Sequence, residues 1–303
     1  MASTREIQSR MKSIKDTMKI TNAMYMISST KLRKARKSLE ETETYFYTLQ
    51  TMMSRILRHL PELENEYFDI RKDKAPDERV RGIVVVTADK GLAGAYNHNV
   101  LKLAEQQMAG CARYKLFVVG ELGRQYFAAK GVNISKHFNY TAQNPSLHRA
   151  RVISETILER FKRGDLDEVY LIYTDMVSSI STEAKLLKLL PMKREEYVQK
   201  TGVFSDEIVM NPSPQAVLKN IIPDTVMGYV YGALVESFCS EQNARMMAME
   251  AANKNATAMI HDLSIEYNRV RQALITQEIT EVVAGAKAQK KKKQARKGAL
   301  NLE

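Results

Sequence analysis

The sequence predicts an α/β protein: a small Rossmann-like α/β domain set between two long helices that pair as an antiparallel coiled coil. Three observations carry this. Residues 1–60 contain no Gly and no Pro, and neither do residues 233–284. Between these stretches, over 80–192, short β-branched runs alternate with amphipathic segments, the pattern of strands joined by crossover helices.

The first helix has a start signal, since Ser3-Thr4-Arg5-Glu6 fits a capping box. Steps of four and three from Ile7 meet Met11, Ile14, Met18, Thr21, Tyr25, Ser28, Leu32, Ala35, Leu39, Thr42, Phe46, Leu49, Met53, Ile56 and Leu60. Thirteen of these sixteen positions are apolar or aromatic and the others carry small hydroxyls. This is a coiled-coil seam, roughly 80 Å long at the helical rise. A helix of that length needs a partner helix. Over 18–27 the apolar surface widens beyond the seam, through Met18, Ile20, Met24, Tyr25, Met26 and Ile27, which predicts a further contact surface there. Lys31, Arg33, Lys34, Arg36 and Lys37 follow on non-seam positions; the plain reading is a solvated face. Pro61 is expected to end the helix.

Within the domain, Arg81–Thr87 reads as a buried parallel strand, Asn97–Gln107 as a helix, Tyr114–Val119 as a strand and Gly123–Lys130 as a helix. Leu147–Arg163 is a longer amphipathic helix, Val169–Thr174 a strand, and Leu186–Leu190 a further strand after a turn at Ser178–Ser181. Residues 193–214 read as a connection. Helix resumes near Gln215 and is expected to break at Pro223. The partner helix then carries Val235, Met246, Met249, Ala256, Ile260, Leu263, Tyr267, Val270 and Leu274, at steps of three, four and their sums. The expected divisions are 1–60 for the first helix, 80–192 for the domain, 215–286 for the last helix and 287–303 for a disordered basic tail.

Charge is unevenly spread. Of the net +11, +8 lies in 1–39 and +6 in 287–303, leaving −3 for 40–286. Such a distribution suggests nucleic acid first and an acidic protein surface second. Cys111 and Cys239 form neither a disulfide framework nor a metal pair. The polar opening MASTREIQSR is not that of a signal peptide, and no apolar run reaches bilayer-spanning length.

Catalytic chemistry is not indicated. Thr87–Gly94 sits between a strand and a helix, where phosphate loops lie, yet it matches neither nucleotide fingerprint. Gly91 and Gly94 read as punctuation of a tight turn. The five His lack ligand spacing, no nucleophile elbow is present, and Glu195-Glu196 reads as solvated. No cofactor or metal is expected. The methionines of both long helices read as flexible seam packing.

Several motifs resemble the γ subunit of F-type ATP synthase. They are Ser13–Met24, Ser28–Ala35, the Thr87–Gly94 turn, Ser240–Met246, and Tyr267–Ala273 continuing through Ile275–Glu281. They stand in order along essentially the whole chain. The resemblance implies a non-catalytic rotor. Its coiled-coil tip would lie in the central cavity of the α3β3 hexamer, and its α/β domain beside the ε subunit and the membrane c-ring. The catalytic nucleotide sites would belong to the β subunits. It implies a peripheral place on the cytoplasmic side of a bacterial cell membrane, touching the membrane only through the complex, and no nucleic-acid partner. Family contact positions carry over to Lys19, Met24, Arg245, Gln272, Thr276 and Glu278. Arg245 would suit carboxylates on β-subunit loops, and Gln272 and Glu278 would suit ring side chains. Two departures stand out. Seventeen residues follow the Val283-Ala284-Gly285-Ala286 pattern near which the family usually stops. No dithiol insertion is present, so the redox switch of the chloroplast form is not expected, and Ala93 stands where the family often has Cys. The rival readings are a nucleic-acid-binding coiled-coil protein, testable by the salt dependence of binding, and an α/β enzyme with a helical appendage.

Overall fold

The computed structural model describes residues 3–59, 65–68, 71, 74–75, 77–139, 142–178, 181–198 and 210–300, without the side chains of 59, 196, 198 and 291–300. Leu60 and the expected stop at Pro61 lie outside this range. The chain divides into two compact units, one of Met1–Met24 with Met249–Glu303 and one of Tyr25–Ala248.

Helix α1 spans Thr4–His59 and helix α6 spans Pro214–Leu300. The capping box forms: the Ser3 amide donates to Glu6 Oε2 at 2.9 Å and the Glu6 amide to Ser3 Oγ at 3.3 Å. Every seam position from Ile7 to Ile56 is buried or half-buried. Pro223 lies inside α6 and does not interrupt it. A proline costs an internal helix one hydrogen bond and a ring clash. Here the turns around it are held by burial of Leu218, Ile221, Ile222, Val226 and Met227. The tail expected to be disordered continues α6 as far as Leu300; residues 301–303 are outside the description. Lys, Ala, Gln and Arg are good helix formers, and extending an existing helix avoids the nucleation cost.

In the first unit, Thr21 Oγ1 donates to Asn253 Oδ1 and Asn253 Nδ2 donates to Asn22 Oδ1 at 2.6 Å. Antiparallel helices advance by the same rise, so this register sets Thr4, where α1 begins, opposite Val270. Burial follows it. Ala252, Asn253, Ala256, Ile260, Leu263, Ser264, Tyr267 and Val270 are half-buried, whereas every residue from Arg271 to Lys290 is exposed. The coiled coil therefore ends at Val270 and does not reach 286. Leu274 fits the seam period but faces solvent because α1 supplies nothing opposite it. About 45 Å of single helix follows.

In the second unit a five-stranded sheet has the order β3-β2-β1-β4-β5. The strands are β1 Val80–Val86, β2 Arg113–Val119, β3 Ile134–Phe138, β4 Glu168–Asp175 and β5 Glu183–Leu190. The β1–β2, β1–β4 and β2–β3 pairings are parallel. Strand β5 runs antiparallel to β4, so the sheet is mixed rather than wholly parallel. The short connection between β4 and β5 cannot hold a crossover helix, which leaves a hairpin. Strand β3 was missed because Ile134-Ser135-Lys136-His137-Phe138 is short and mostly polar. The five-residue α5, Arg194–Val198, falls where a plain connection was expected; Glu195 is exposed.

Alternation along the strands sorts the core into two faces. Ile83, Val85, Leu116, Val118 and Ile172 pack with Val100, Leu101 and Ala104 of α2 (Tyr96–Ala109) and Phe127 of α3 (Glu121–Ala129). Val84, Val86, Phe117, Val119, Val169 and Leu171 face α4 (Leu147–Lys162) and buried residues of both long helices, Leu32 to Leu57 and Leu218 to Cys239. Within that layer the long helices approach closely. A Cβ on Gly228 would lie 2.3 Å from Phe46 Cδ1, and the Phe46 and Tyr231 rings are 6.0 Å apart.

Candidate functional site

Among parallel α/β sheets the usual ligand crevice lies at the carboxyl ends of the strands where the order reverses. Here that place is between β1 and β4. The loop after β1 is tied down first. Thr87 Oγ1 donates to the Val119 carbonyl at 2.8 Å and accepts from the Gly123 amide at 3.0 Å. Gly120 closes this contact with φ +95°; a Cβ there would stand 2.2 Å from the Thr87 carbonyl oxygen, so only glycine fits. Asn97 Oδ1 accepts the Ala88 amide, and Asp89 Oδ1 accepts the Glu121 amide, both at 2.9 Å. In the loop itself the left-handed residues are Leu92 and Gly94. Gly91, expected to serve the turn, does not take that conformation.

Helix α6 fills the crevice. Ser237 Oγ accepts the Thr174 amide at 3.1 Å, and Ser240 Oγ donates to the Thr174 carbonyl at 3.3 Å, so a helix completes the hydrogen bonding of the β4 end. One turn further, Glu241 pairs with Arg245 at 2.6 Å. Arg245 Nη2 also donates to the carbonyls of Lys90 and Gly91, at 3.3 and 3.1 Å. Tyr96 is buried against this group; burial, then the nearby Glu241, push its hydroxyl well above the ordinary tyrosine range. Burial likewise raises the Glu241 carboxyl, with Arg245 pulling the other way. At the rim, the Glu236 carboxyl is pushed up to about 7 by burial and by a hydrogen-bonded Asp175, which itself pairs with Lys185 of β5. The place where open α/β sheets commonly hold ligands is thus occupied by the chain's own side chains.

The six expected contact residues fall in different units, Arg245 in one and the other five in the other. Arg245 is 8% exposed and its guanidinium is spent on Glu241 and the loop, rather than offered to an outside carboxylate. In the other unit Lys19 is exposed and bonded to Asp16 at 2.9 Å, and Met24 is half-buried. Gln272, Thr276 and Glu278 are exposed on the single-helix part of α6, Thr276 Oγ1 donating back to the Gln272 carbonyl at 2.9 Å. The widened apolar surface is real in part: Ile20, Met26 and Ile27 are 62%, 68% and 55% exposed. Lys31, Arg33, Lys34, Arg36 and Lys37 are exposed too, with Arg36 reaching Met176 Sδ at 3.4 Å. Sequence reasoning missed Tyr96, Thr174 and Ser237. The available signal was a polar run, Ser240-Glu241-Gln242-Asn243, inside an otherwise apolar helix.

Among the described residues no group of His, Cys, Asp and Glu could hold a metal ion, and no helix is long and apolar enough to cross a membrane.

The fold defines a class of protein: an α/β domain with a five-stranded mixed sheet in a chain that begins and ends in long helices. The sequence model described as ATP synthase matches residues 3–289, and the ATP synthase gamma chain of Ruminiclostridium cellulolyticum is 45% identical over 291 residues, 94% of this chain and 98% of that one. The chain belongs to the ATP synthase gamma-chain family. The "ATP synthase gamma chain, sodium ion specific" of Acetobacterium woodii is 38% identical, over 93% of this chain and 97% of its own. Among solved structures, the central stalk and c-ring of Tetrahymena thermophila mitochondrial ATP synthase holds a chain that is 25% identical, with a TM-score of 0.58, covering 77% of this chain and 99% of that one. A chain of the Euglena gracilis mitochondrial enzyme shares the fold at 19% identity, with a TM-score of 0.65 and 94% coverage of both.

Proposed function

We propose that this chain is the rotor of an F-type ATP synthase, the central stalk through which ion-driven turning of the membrane c-ring cycles the catalytic sites of the β subunits. It has no catalytic site of its own in this reading. Its α/β domain sits beside the ε subunit and the c-ring, and its helical tip stands in the α3β3 hexamer. Membrane attachment is peripheral, on the cytoplasmic side of a bacterial cell membrane, through the complex alone.

One observation supports this above the others. Helix α6 is a single element from Pro214 to Leu300, keyed into the sheet crevice over Ser237–Arg245 and unaccompanied after Val270. A shaft must be rigidly mounted where torque enters and exposed where it is delivered. The side chains proposed to meet the ring are Lys19, Met24, Gln272, Thr276 and Glu278. Arg245 contributes by holding α6 to the Lys90–Gly91 backbone.

The test is co-purification. Tagged chain expressed with its neighbours should bring down α, β and ε in fixed proportion. Recovery of a lone chain that retains DNA at low salt and releases it steeply as salt rises would replace the rotor reading with a nucleic-acid-binding one.

A further inference from the structure

We propose that a cavity in the second unit, between α1, α6 and the loop before α4, is a binding site for a small aromatic carboxylate. Its volume is about 270 Å³. The site does not depend on the rotor reading.

Three walls build it. On α1, Lys31, Lys34, Ala35 and Ser38 line the cavity, at the i, i+3, i+4 and i+7 positions that share a helix face. On α6, Tyr231, Val235 and Phe238 line it at i, i+4 and i+7, again one face. The third wall is Gln143, Asn144 and Pro145, which run into the N-terminus of α4, capped by Ser146. Ala35, Tyr231, Val235 and Phe238 are buried, so the floor is apolar and includes two aromatic rings. Lys31 and Lys34 are exposed and border the open side.

The polar groups select an anion. Among the described residues no Asp or Glu lines the cavity. Three and four positions from Lys31 and Lys34 stand Ile27, Ser28, Thr30, Ala35, Lys37, Ser38 and the other lysine, so α1 offers these amines no carboxylate of its own. Glu241, which feels the Lys31 charge, is already paired with Arg245. Tyr231 is 4% exposed, and its hydroxyl has no hydrogen-bond partner among the described residues. A buried phenol ordinarily finds one, and an acceptor held in the cavity would supply it. A carboxylate can accept from two ammonium groups and a phenol at once, and the nearby start of α4 favours negative charge. Size and floor select the rest of the ligand. An apolar cavity of about 150 Å³ already admits benzene, whereas pockets for drug-sized ligands run from about 300 Å³ upward. The volume here suits one ring with its acid group, the ring lying against Tyr231 and Phe238.

Photolabelling with para-azidobenzoate tests this on the full chain in the form in which it purifies. Label should be recovered in peptides holding Lys31–Ser38 or Tyr231–Phe238. Excess benzoate should protect them, whereas acetate, which lacks the ring, and benzamide, which lacks the charge, should not. Lys31→Gln with Lys34→Gln should lower labelling at sub-saturating probe by about tenfold, as expected for losing a charged hydrogen bond. Tyr231→Phe keeps the ring against Phe46 and should lower it several-fold. Lys12→Gln with Lys15→Gln, on the same helix but outside the cavity lining, should leave it unchanged. Label scattered along the chain, or protection by acetate or benzamide equal to that by benzoate, overturns the proposal. So does undiminished labelling of the Lys31 and Lys34 variant, or an equal loss in the Lys12 and Lys15 variant. Failure to co-purify with α and β would overturn the rotor reading and leave this result standing.

Discussion

Arg245 and Glu241 form a 2.6 Å ion pair one turn apart on the long C-terminal helix, and Arg245 carries that pair onto the backbone carbonyls of Lys90 and Gly91. Two stretches distant in sequence are thereby locked at one point. Both charges are almost fully buried, so the pair is costly to break from either side.

Arg245→Ala should destabilise the protein by about 3–5 kcal/mol, because it strands a buried carboxylate. Urea unfolding at neutral pH checks this. Adding Glu241→Gln to the same variant should recover part of the loss, since the orphaned charge is then gone. Additive losses in the double variant would show that the pair does not act as a unit.

Stability should fall as pH rises from about 4.5 to about 7. The Glu236 carboxyl, ordinarily near 4.5, is held at about 7 in the fold by burial and by Asp175. The folded state then binds its proton more tightly than the unfolded chain does. Its contribution is complete below the unfolded value, declines through the interval, and is gone above the folded value. For a half-buried group the effect is on the order of 1 kcal/mol after solvent screening. Glu236→Gln should flatten the melting temperature across this range; an unchanged slope would count against the Glu236–Asp175 proton.

Gly228→Ala should destabilise although it favours helix. The helical gain is about 1 kcal/mol, while forcing a methyl to 2.3 Å from Phe46 Cδ1 costs about 1–3 kcal/mol of overpacking. Phe46→Leu in the same background should relieve the strain. A stabilised single variant would mean that the two helices part easily there.

In the rotor reading, Met24→Lys should uncouple ATP hydrolysis from ion pumping while leaving assembly intact. The half-buried thioether lies in the region where the apolar surface of the first helix broadens, and a new charge there would face the ring in the rotor reading. Inverted vesicles compare hydrolysis with uptake of the coupling ion; normal pumping per ATP would remove Met24 from the contact.

Much of the helical frame was legible before any coordinates. A 3.5-residue repeat is a local pattern, and it identified every described seam position of the first helix down to small residues such as Ser28, which is buried. On the last helix the same reading ran too far. Leu274 fits the period as well as Val270 does, but periodicity says which face could be covered, not where the covering helix begins. Strand β3 was hidden because an edge strand with Ser135, Lys136 and His137 has no apolar run to announce it. Arg245 was singled out on a family resemblance and was expected to look outward. Whether a guanidinium serves a partner or its own backbone depends on what lies across from it, and Lys90 stands 155 residues away in sequence.

The division follows the range of the forces involved. The sequence alone determined the two long helices, the alternating strands between them and the clustering of positive charge at both ends, since helical period, strand composition and charge are set by near neighbours. Only the tertiary structure decided that α6 enters the crevice between β1 and β4, that Ser237 and Ser240 complete the end of β4, and that the coiled coil stops at Val270. Each of these depends on the register between segments far apart in the chain. That register is fixed by packing contacts such as Thr21 with Asn253 in one unit and Phe46 with Gly228 in the other, which no local pattern encodes.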